Sequence, residues 1–360
     1  MQSLRELLTQ IVEMKASDLH INVGVPPTMR FDGELKAVND HVLSHDEAKL
    51  LCFEFLEPDQ IKRFEEKLSV DFSFGIDGVS RFRGNLYISV GNICGAFRPI
   101  PHKIPDAAEI GLPNVVVNLS KRPRGLVLVT GPTGSGKSTT LSALLNLVNK
   151  TRHDHIVTIE DPIEYKLEGI NQVQVREKQG LTFSSVLRSV LRQDPDVIML
   201  GEVRDEETAA TAFQAALTGH LVLTTLHTND TIAAVTRLAD MGVERFKVAS
   251  GLVAITAQRL IRRLCGECRR PVEAAAIEQT LRAAFMAEGL EPKAWAAAGC
   301  AKCDMTGYKG RLLLVEFLEV APALRERIVA GDGEADLRRA ALSSGSLHSL
   351  RNDALRRVQE

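Results

Sequence analysis

The chain has 360 residues, of which 44% are apolar, 25% charged and 5% aromatic; this ordinary globular usage excludes a disordered chain or a single small module and allows two or three domains. Lysine and arginine number 44 against 46 acidic residues, a formal net charge of −2, so no global basic field draws nucleic acid or acidic lipid. The N-terminal MQSLRELLTQIVEMK lacks a secretory-signal pattern, and no apolar run reaches the roughly 18 residues of a membrane span, which predicts a cytoplasmic protein.

Leu4, Leu7, Leu8, Ile11 and Val12 recur at helical spacing, and the alternating LHINV after Ser17-Asp18 predicts a strand. Up to residue 100, short strands broken at Asp32-Gly33 and Asp77-Gly78, with a helical segment over 45–66, predict a small α+β domain. Pro99, Pro101, Pro105 and Pro113 oppose helix and predict a linker over 101–115. From residue 125 apolar strands alternate with helical segments: GLVLVTG, a helix from 137, HIVTIED, a helix over 183–193, DVIMLGE, a helix over 206–217, then HLVLTTLH. Such near-continuous apolar strands imply a parallel sheet covered on both faces, a doubly wound α/β core within a domain over 116–360. From about 231 the pattern predicts helices interrupted by cysteine pairs and one strand, GRLLLVEFLEV.

Gly131-Pro132-Thr133-Gly134-Ser135-Gly136-Lys137-Ser138 fits G-x-x-x-x-G-K-[ST], and it stands between an apolar strand and a helix, the context that a phosphate loop requires. Glycines turn successive N–H groups toward phosphate and the helix start adds its positive dipole end. Lys137 would reach the terminal phosphates, Ser138 would offer a magnesium ligand, and Thr139 closes the set. A guanine-specific N-K-x-D motif is absent from the sequence, so ATP is the expected nucleotide.

Ligands of parallel sheets sit beyond the carboxyl ends of the strands. Three such ends carry polar residues: IEDPIE with Glu160, Asp161 and Glu164; MLGEVRD with Glu202, Arg204 and Asp205; and TTLHTND with Thr224, Thr225, His227 and Asp230. An attacking water needs an acceptor and magnesium needs carboxylate support, which glutamates supply. Asp205 is equally suited to cap the helix that follows, and His220 or His227 to pack as hydrogen-bonded histidines.

Cys265-Gly-Glu-Cys268 and Cys300-Ala-Lys-Cys303 are two knuckles within an element spanning 262–310, separated by 31 residues that include the apolar series Ile277, Leu281 and Phe285. Four thiolates suit a closed, tetrahedral, structural zinc ion. Cys52 and Cys94 lie in apolar surroundings and read as core thiols.

The ordered motifs GPTGSGKSTTL, TIEDPIEY, RQDPDVIMLGEVRDEETA and ALTGHLVLTTLHTND, followed by QRL at 258–260, resemble those of the type II/IV secretion ATPase superfamily, whose branches are PilT, PilB and GspE. The resemblance implies a RecA-like P-loop core preceded by a PAS-like domain over 1–100, assembled as a homohexamer. It makes Glu164 the catalytic glutamate, Glu202 the Walker B glutamate and His227 a phosphate-sensing or coupling histidine. Gly201 stands where the Walker B aspartate is usual, so magnesium would rest on Ser138 and waters with indirect carboxylate help. SRFRGN, with Arg81 and Arg83, and FRP, with Arg98, match the family's arginines that reach the nucleotide from the N-terminal domain; a guanidinium fork there would neutralise the leaving phosphoryl group.

The short N-terminal region resembles the PilT branch, whereas the tetracysteine and SLHSLRNDALRRV resemble PilB and GspE. The expectation is an ATP-hydrolysing motor of type IV pilus retraction working on an inner-membrane platform protein, peripheral to that membrane through its partners. Pilus assembly or type II secretion is the alternative, and a nucleic-acid translocase the remote one. For the last, RLIRRLC and CRRP are locally basic but no aromatic stacking groove accompanies them, so no nucleic acid is expected.

Overall fold

Ser3 and Glu6 form a reciprocal capping box that starts α1 (Leu4–Glu13), whose Leu4, Leu7, Leu8 and Ile11 are buried. The computed structural model describes residues 2–31, 34–100 and 104–359 and divides into two units, 1–103 and 104–360.

In the first unit β1 (Asp18–Ile21), β2 (Thr28–Phe31) and β3 (Glu34–Ala37) precede α2 (His45–Phe53) and α3 (Pro58–Lys67), and β4 (Ser69–Ile76), β5 (Ser80–Ser89) and β6 (Asn92–Ile100) complete an antiparallel sheet of order β3-β2-β1-β6-β5-β4. The predicted segment over 45–66 is two helices, because Pro58 occupies the first turn of α3 and bars helix from the residue before it. The Asp77-Gly78 turn joins β4 to β5, with Gly78 at φ +76°. Asp32-Gly33 and Pro101 lie outside the described residues. Pro99 belongs to β6, opposite Phe82, rather than to a linker; β1 pairs only with residues 95–97 of β6, so Pro99 sits beyond β1 and withholds no ladder bond from it. Phe82, Phe97, Leu86 and Leu19 are buried on one sheet face with α1 and α2.

In the second unit Ile104, Ala107 and Ile110 pack against a core that includes Leu112, Val116 and Leu119 around α4 (Asn114–Val117). Then follow β7 (Gly125–Thr130), α5 (Lys137–Thr151), β8 (Ile156–Glu160), β9 (Asn171–Gln174), α6 (Phe183–Val190), β10 (Val197–Leu200), α7 (Glu206–Leu217), β11 (Leu221–Leu226), α8 (Thr231–Asp240), α9 (Arg245–Gly251) and β12 (Leu252–Leu264). The remainder is β13 (Arg270–Pro271), α10 (Gln279–Ala287), β14 (Trp295–Ala296), β15 (Tyr308–Glu319), α11 (Pro322–Ala330), α12 (Glu334–Ser343), β16 (Leu347–His348) and α13 (Leu350–Gln359). The eight-stranded sheet has the order β16-β15-β12-β7-β11-β10-β8-β9, parallel from β12 through β9 and antiparallel at β15 and β16.

Alternation along β7 explains why both faces are covered. Leu126 and Leu128 face a core shared with α6, α7, α8, α9, α11 and α12. Val127 and Val129 face the opposite core, shared with Leu141, Leu144, Leu145 and Val148 of α5. The sequence reading of one strand after residue 231 is corrected by β12, a 13-residue strand where helix was expected.

Candidate functional site

Thr130 ends β7 and Lys137 opens α5, so the six residues between them turn at the carboxyl edge of the sheet. Gly131 adopts φ +144°, and a Cβ there would lie 2.6 Å from both the Gln258 carbonyl oxygen and Ser135 Oγ. Only glycine fits that approach. Gly136, at φ +91°, caps α5, and the helix start points its dipole into the loop. Ser135 Oγ is buried with no hydrogen-bond partner, an orphan polar atom that suits a polar ligand at this spot. Lys137 Nζ donates to the carbonyls of Gly131 at 2.9 Å and Pro132 at 3.1 Å, bonds that phosphate oxygens can replace. Burial lowers the Lys137 pKa, while the charges of Glu202 and Glu164 oppose that shift; both carboxylates therefore act on the one buried ammonium. Behind the loop, Gln258 Nε2 donates to Thr140 Oγ1 at 2.8 Å, fixing α5 to β12.

The neighbouring strand ends converge. Glu202, just beyond β10, accepts from Arg204 Nη2 through Oε1, and its Oε2 lies 3.6 Å from His227 Nε2. Arg204 Nη1 stands 3.6 Å from Asp161 Oδ2, and its guanidinium lies over the Phe183 ring. Glu164 is exposed. Glu160 is buried, accepts from Thr158 Oγ1 at 2.6 Å and Gln172 Nε2 at 3.0 Å, and burial raises its pKa; it serves as an internal tie rather than a group facing the phosphate loop. Asp205 caps α7 through Thr208 N–H at 2.8 Å, Asp230 caps α8 and pairs with Arg338 at 3.0 Å, and His220 Nδ1 meets the Ala215 carbonyl at 2.9 Å. These three therefore carry structural bonds.

Sequence reasoning missed Thr130 and Thr228. Thr130 Oγ1 lies 2.8 Å from the Leu226 carbonyl oxygen and accepts from Thr228 N–H at 2.9 Å, so it brackets His227. The available signal was a threonine ending an apolar strand directly before the glycine loop.

In the first unit Arg81 and Arg83 alternate along β5 and Arg98 lies directly opposite Arg83, so the three share one sheet face. Arg98 donates to Asp18 Oδ1 through Nε at 2.9 Å and Nη2 at 2.6 Å, and Arg83 Nη2 stands 3.9 Å from Asp71. Gly84, within the same motif, is glycine for a steric reason: a Cβ there would meet the Phe72 ring at 2.5 Å.

The four cysteine sulfurs of the two knuckles lie within 4.8 Å of one another. Sγ separations are 3.9 Å for Cys265 and Cys300, 3.8 Å for Cys268 and Cys303, and 3.8 Å for Cys300 and Cys303. A tetrahedron with metal–sulfur bonds of about 2.3 Å has edges of about 3.8 Å, so the set fits zinc. N–H groups of Cys300 and Gly307 each donate to Cys303 Sγ at 3.2 Å, the outer bonds that orient a thiolate ligand. Cys52 and Cys94 are buried and separate from this cluster, and burial pushes the Cys52 thiol up to about 12.

Residues 113–360 match the profile of the family described as Type II/IV secretion system protein. The chain belongs to this family. Among its members, the type II secretion system protein E of Aeromonas hydrophila is 48% identical over 245 residues, 68% of this chain and 48% of that protein. The type IV pilus retractation ATPase PilT of Pseudomonas aeruginosa is 43% identical over 273 residues, 73% of this chain and 79% of its own length. The crystal structure of the pilus retraction motor PilT with bound ADP aligns at a TM-score of 0.75 and 33% identity, covering 98% of this chain and 96% of that one. The chain spans about half the length of the type II secretion relatives it matches. The family's RecA-like ATPase fold with an N-terminal domain is the fold seen here. No helix among the described residues is long and apolar enough to cross a membrane.

Proposed function

We propose that the chain is an ATP-hydrolysing motor of the secretion family, assembled as a homohexamer, that powers retraction of a type IV pilus through an inner-membrane platform protein. The observation that carries the catalytic half is the placement of Lys137 in a phosphate loop under the joint charge of Glu164 and Glu202, with His227 beside Glu202. In this reading Lys137 and the loop amides hold the phosphates, and Glu164 accepts a proton from the attacking water. Glu202 and Ser138 would support magnesium, which neutralises phosphate charge when bound. His227 senses the terminal phosphate, and Arg81, Arg83 and Arg98 meet a nucleotide held by a neighbouring subunit. Cys265, Cys268, Cys300 and Cys303 would hold a structural zinc ion, and the motor would work in the cytoplasm at the membrane surface.

The end-to-end correspondence with the PilT motor structure supports retraction. A second reading, pilus assembly or type II secretion, draws on the tetracysteine cluster and on the type II relatives at similar identity. Purified protein should split ATP only with magnesium, and a deletion strain should carry excess, immobile pili. Absent pili with intact twitching machinery would transfer the assignment to assembly, and lack of hydrolysis would remove the motor altogether.

A further inference from the structure

The loop that carries His227 is bonded on both sides of the histidine by one hydroxyl, that of Thr130. Thr130 is fully buried at the last position of β7, one residue before the phosphate loop. Its Oγ1 lies 2.8 Å from the carbonyl oxygen of Leu226, the residue before His227, and accepts from the N–H of Thr228, the residue after it, at 2.9 Å. The Thr228 hydroxyl is 2.7 Å from the same oxygen. One side chain thus grips the main chain on both sides of the histidine, while its own backbone continues directly into Gly131.

A related arrangement occurs one strand further out. Thr225 Oγ1 donates to the Gly201 carbonyl at 2.7 Å, and the Thr225 main-chain carbonyl accepts from Val203 N–H at 3.0 Å, so Glu202 is also bracketed, here by one side-chain and one main-chain bond. The two loops bearing His227 and Glu202 are therefore tied in series to the strand that feeds the phosphate loop, and His227 Nε2 and Glu202 Oε2 meet at 3.6 Å where the ties end.

We propose that Thr130 is a positioning residue that couples the phosphate loop to His227. The proposal rests on the reading of His227 as the residue that responds to the terminal phosphate. Threonine suits this position because β-branching fixes χ1 and its hydroxyl both donates and accepts. The side chain is buried one residue short of the glycine loop, so its effect on the reaction passes through the histidine loop.

The test uses full-length protein and compares Thr130→Val, Thr130→Ser and His227→Ala alone, and Thr130→Val combined with His227→Ala. Thr130→Val keeps the volume and removes the hydroxyl; kcat should fall at least about tenfold while the affinity for a fluorescent ATP analogue stays within about twofold. Thr130→Ser should restore kcat to within about threefold of the original chain. The combined variant should be no slower than His227→Ala, because both changes remove one function. Unchanged kcat in Thr130→Val, with His227→Ala impaired, overturns the proposal alone. So does a combined variant whose losses multiply, or a Thr130→Val defect that follows nucleotide affinity and thermal midpoint and is not rescued by serine. A His227→Ala variant with full kcat removes the underlying reading of the histidine, and the proposal with it.

Discussion

His227 Nε2 stands 3.6 Å from Glu202 Oε2, while the other oxygen of the same carboxylate is held by Arg204. Glu202 is thus occupied from two sides, whereas Glu164 is exposed and still within electrostatic reach of Lys137. This division of labour predicts that Glu164→Gln retains ATP binding and loses about 10²- to 10⁴-fold in turnover, the range expected for a general base. Single-turnover hydrolysis measured beside nucleotide affinity checks it; unchanged turnover would shift the base role to Glu202.

Lys137→Ala is expected to reduce hydrolysis by at least about 100-fold, in line with the loss of one preorganised charge contact in a buried site. The fold should survive, because among the described residues the Lys137 ammonium bonds to its own loop, at the Gly131 and Pro132 carbonyls. Steady-state ATPase assays with circular dichroism test both halves, and wild-type turnover would refute the assignment of the loop.

For the metal, atomic emission after dialysis should find close to one zinc ion per chain. Replacing Cys265 and Cys300 by serine should abolish it and lower the thermal midpoint. A zinc knuckle adds folding free energy outright, and a loss of even ~3 kcal/mol amounts to roughly 6–12 °C in a unit of this size. Metal-free protein with an unaltered midpoint would exclude a structural ion.

Glu160 makes a prediction about pH. Burial raises its pKa above the ordinary 4.5, so above pH 4.5 the native state binds more proton than the unfolded chain until the buried carboxyl itself ionises. Its contribution to stability therefore falls as pH rises through that window and stays unfavourable above it. Glu160→Gln removes the charge and retains an acceptor for Thr158 and Gln172. Relative to the original chain, the variant should gain denaturation midpoint as pH rises above 4.5; a difference that stays constant with pH would show that burial of the charge is not what sets the pKa.

The fold was readable where one physical signal dominated. The helix over 206–217 was predicted at the limits observed, because Asp205 caps it and an alanine-rich apolar stripe follows. The strand at Leu252–Leu264 was not, since LVAITAQRLIRRL begins fully buried and ends exposed among arginines, a pattern with neither period throughout. Its position is fixed by two partners far along the chain, β7 and β15, which no local pattern discloses. The phosphate loop was visible because glycines are demanded by conformation, as the crowding at Gly131 shows. Thr130 and Thr228 were invisible for the opposite reason: their importance lies in bonds between residues 98 positions apart.

The long ladder of β12 and β15 has one more implication. At Gln258 its main chain runs so close to Gly131 that no side chain fits there, and its outer end at Leu264 leads straight into Cys265. Six residue-to-residue steps of extended chain span about 20 Å, cross-braced by register pairs from Gln258 with Val315 to Leu264 with Tyr308 and interrupted by one bulge. The paired strands therefore join the edge of the sheet that carries the phosphate loop to the cysteine cluster through one continuous ladder. A substitution that breaks this ladder is accordingly felt at both the glycine loop and the four thiols.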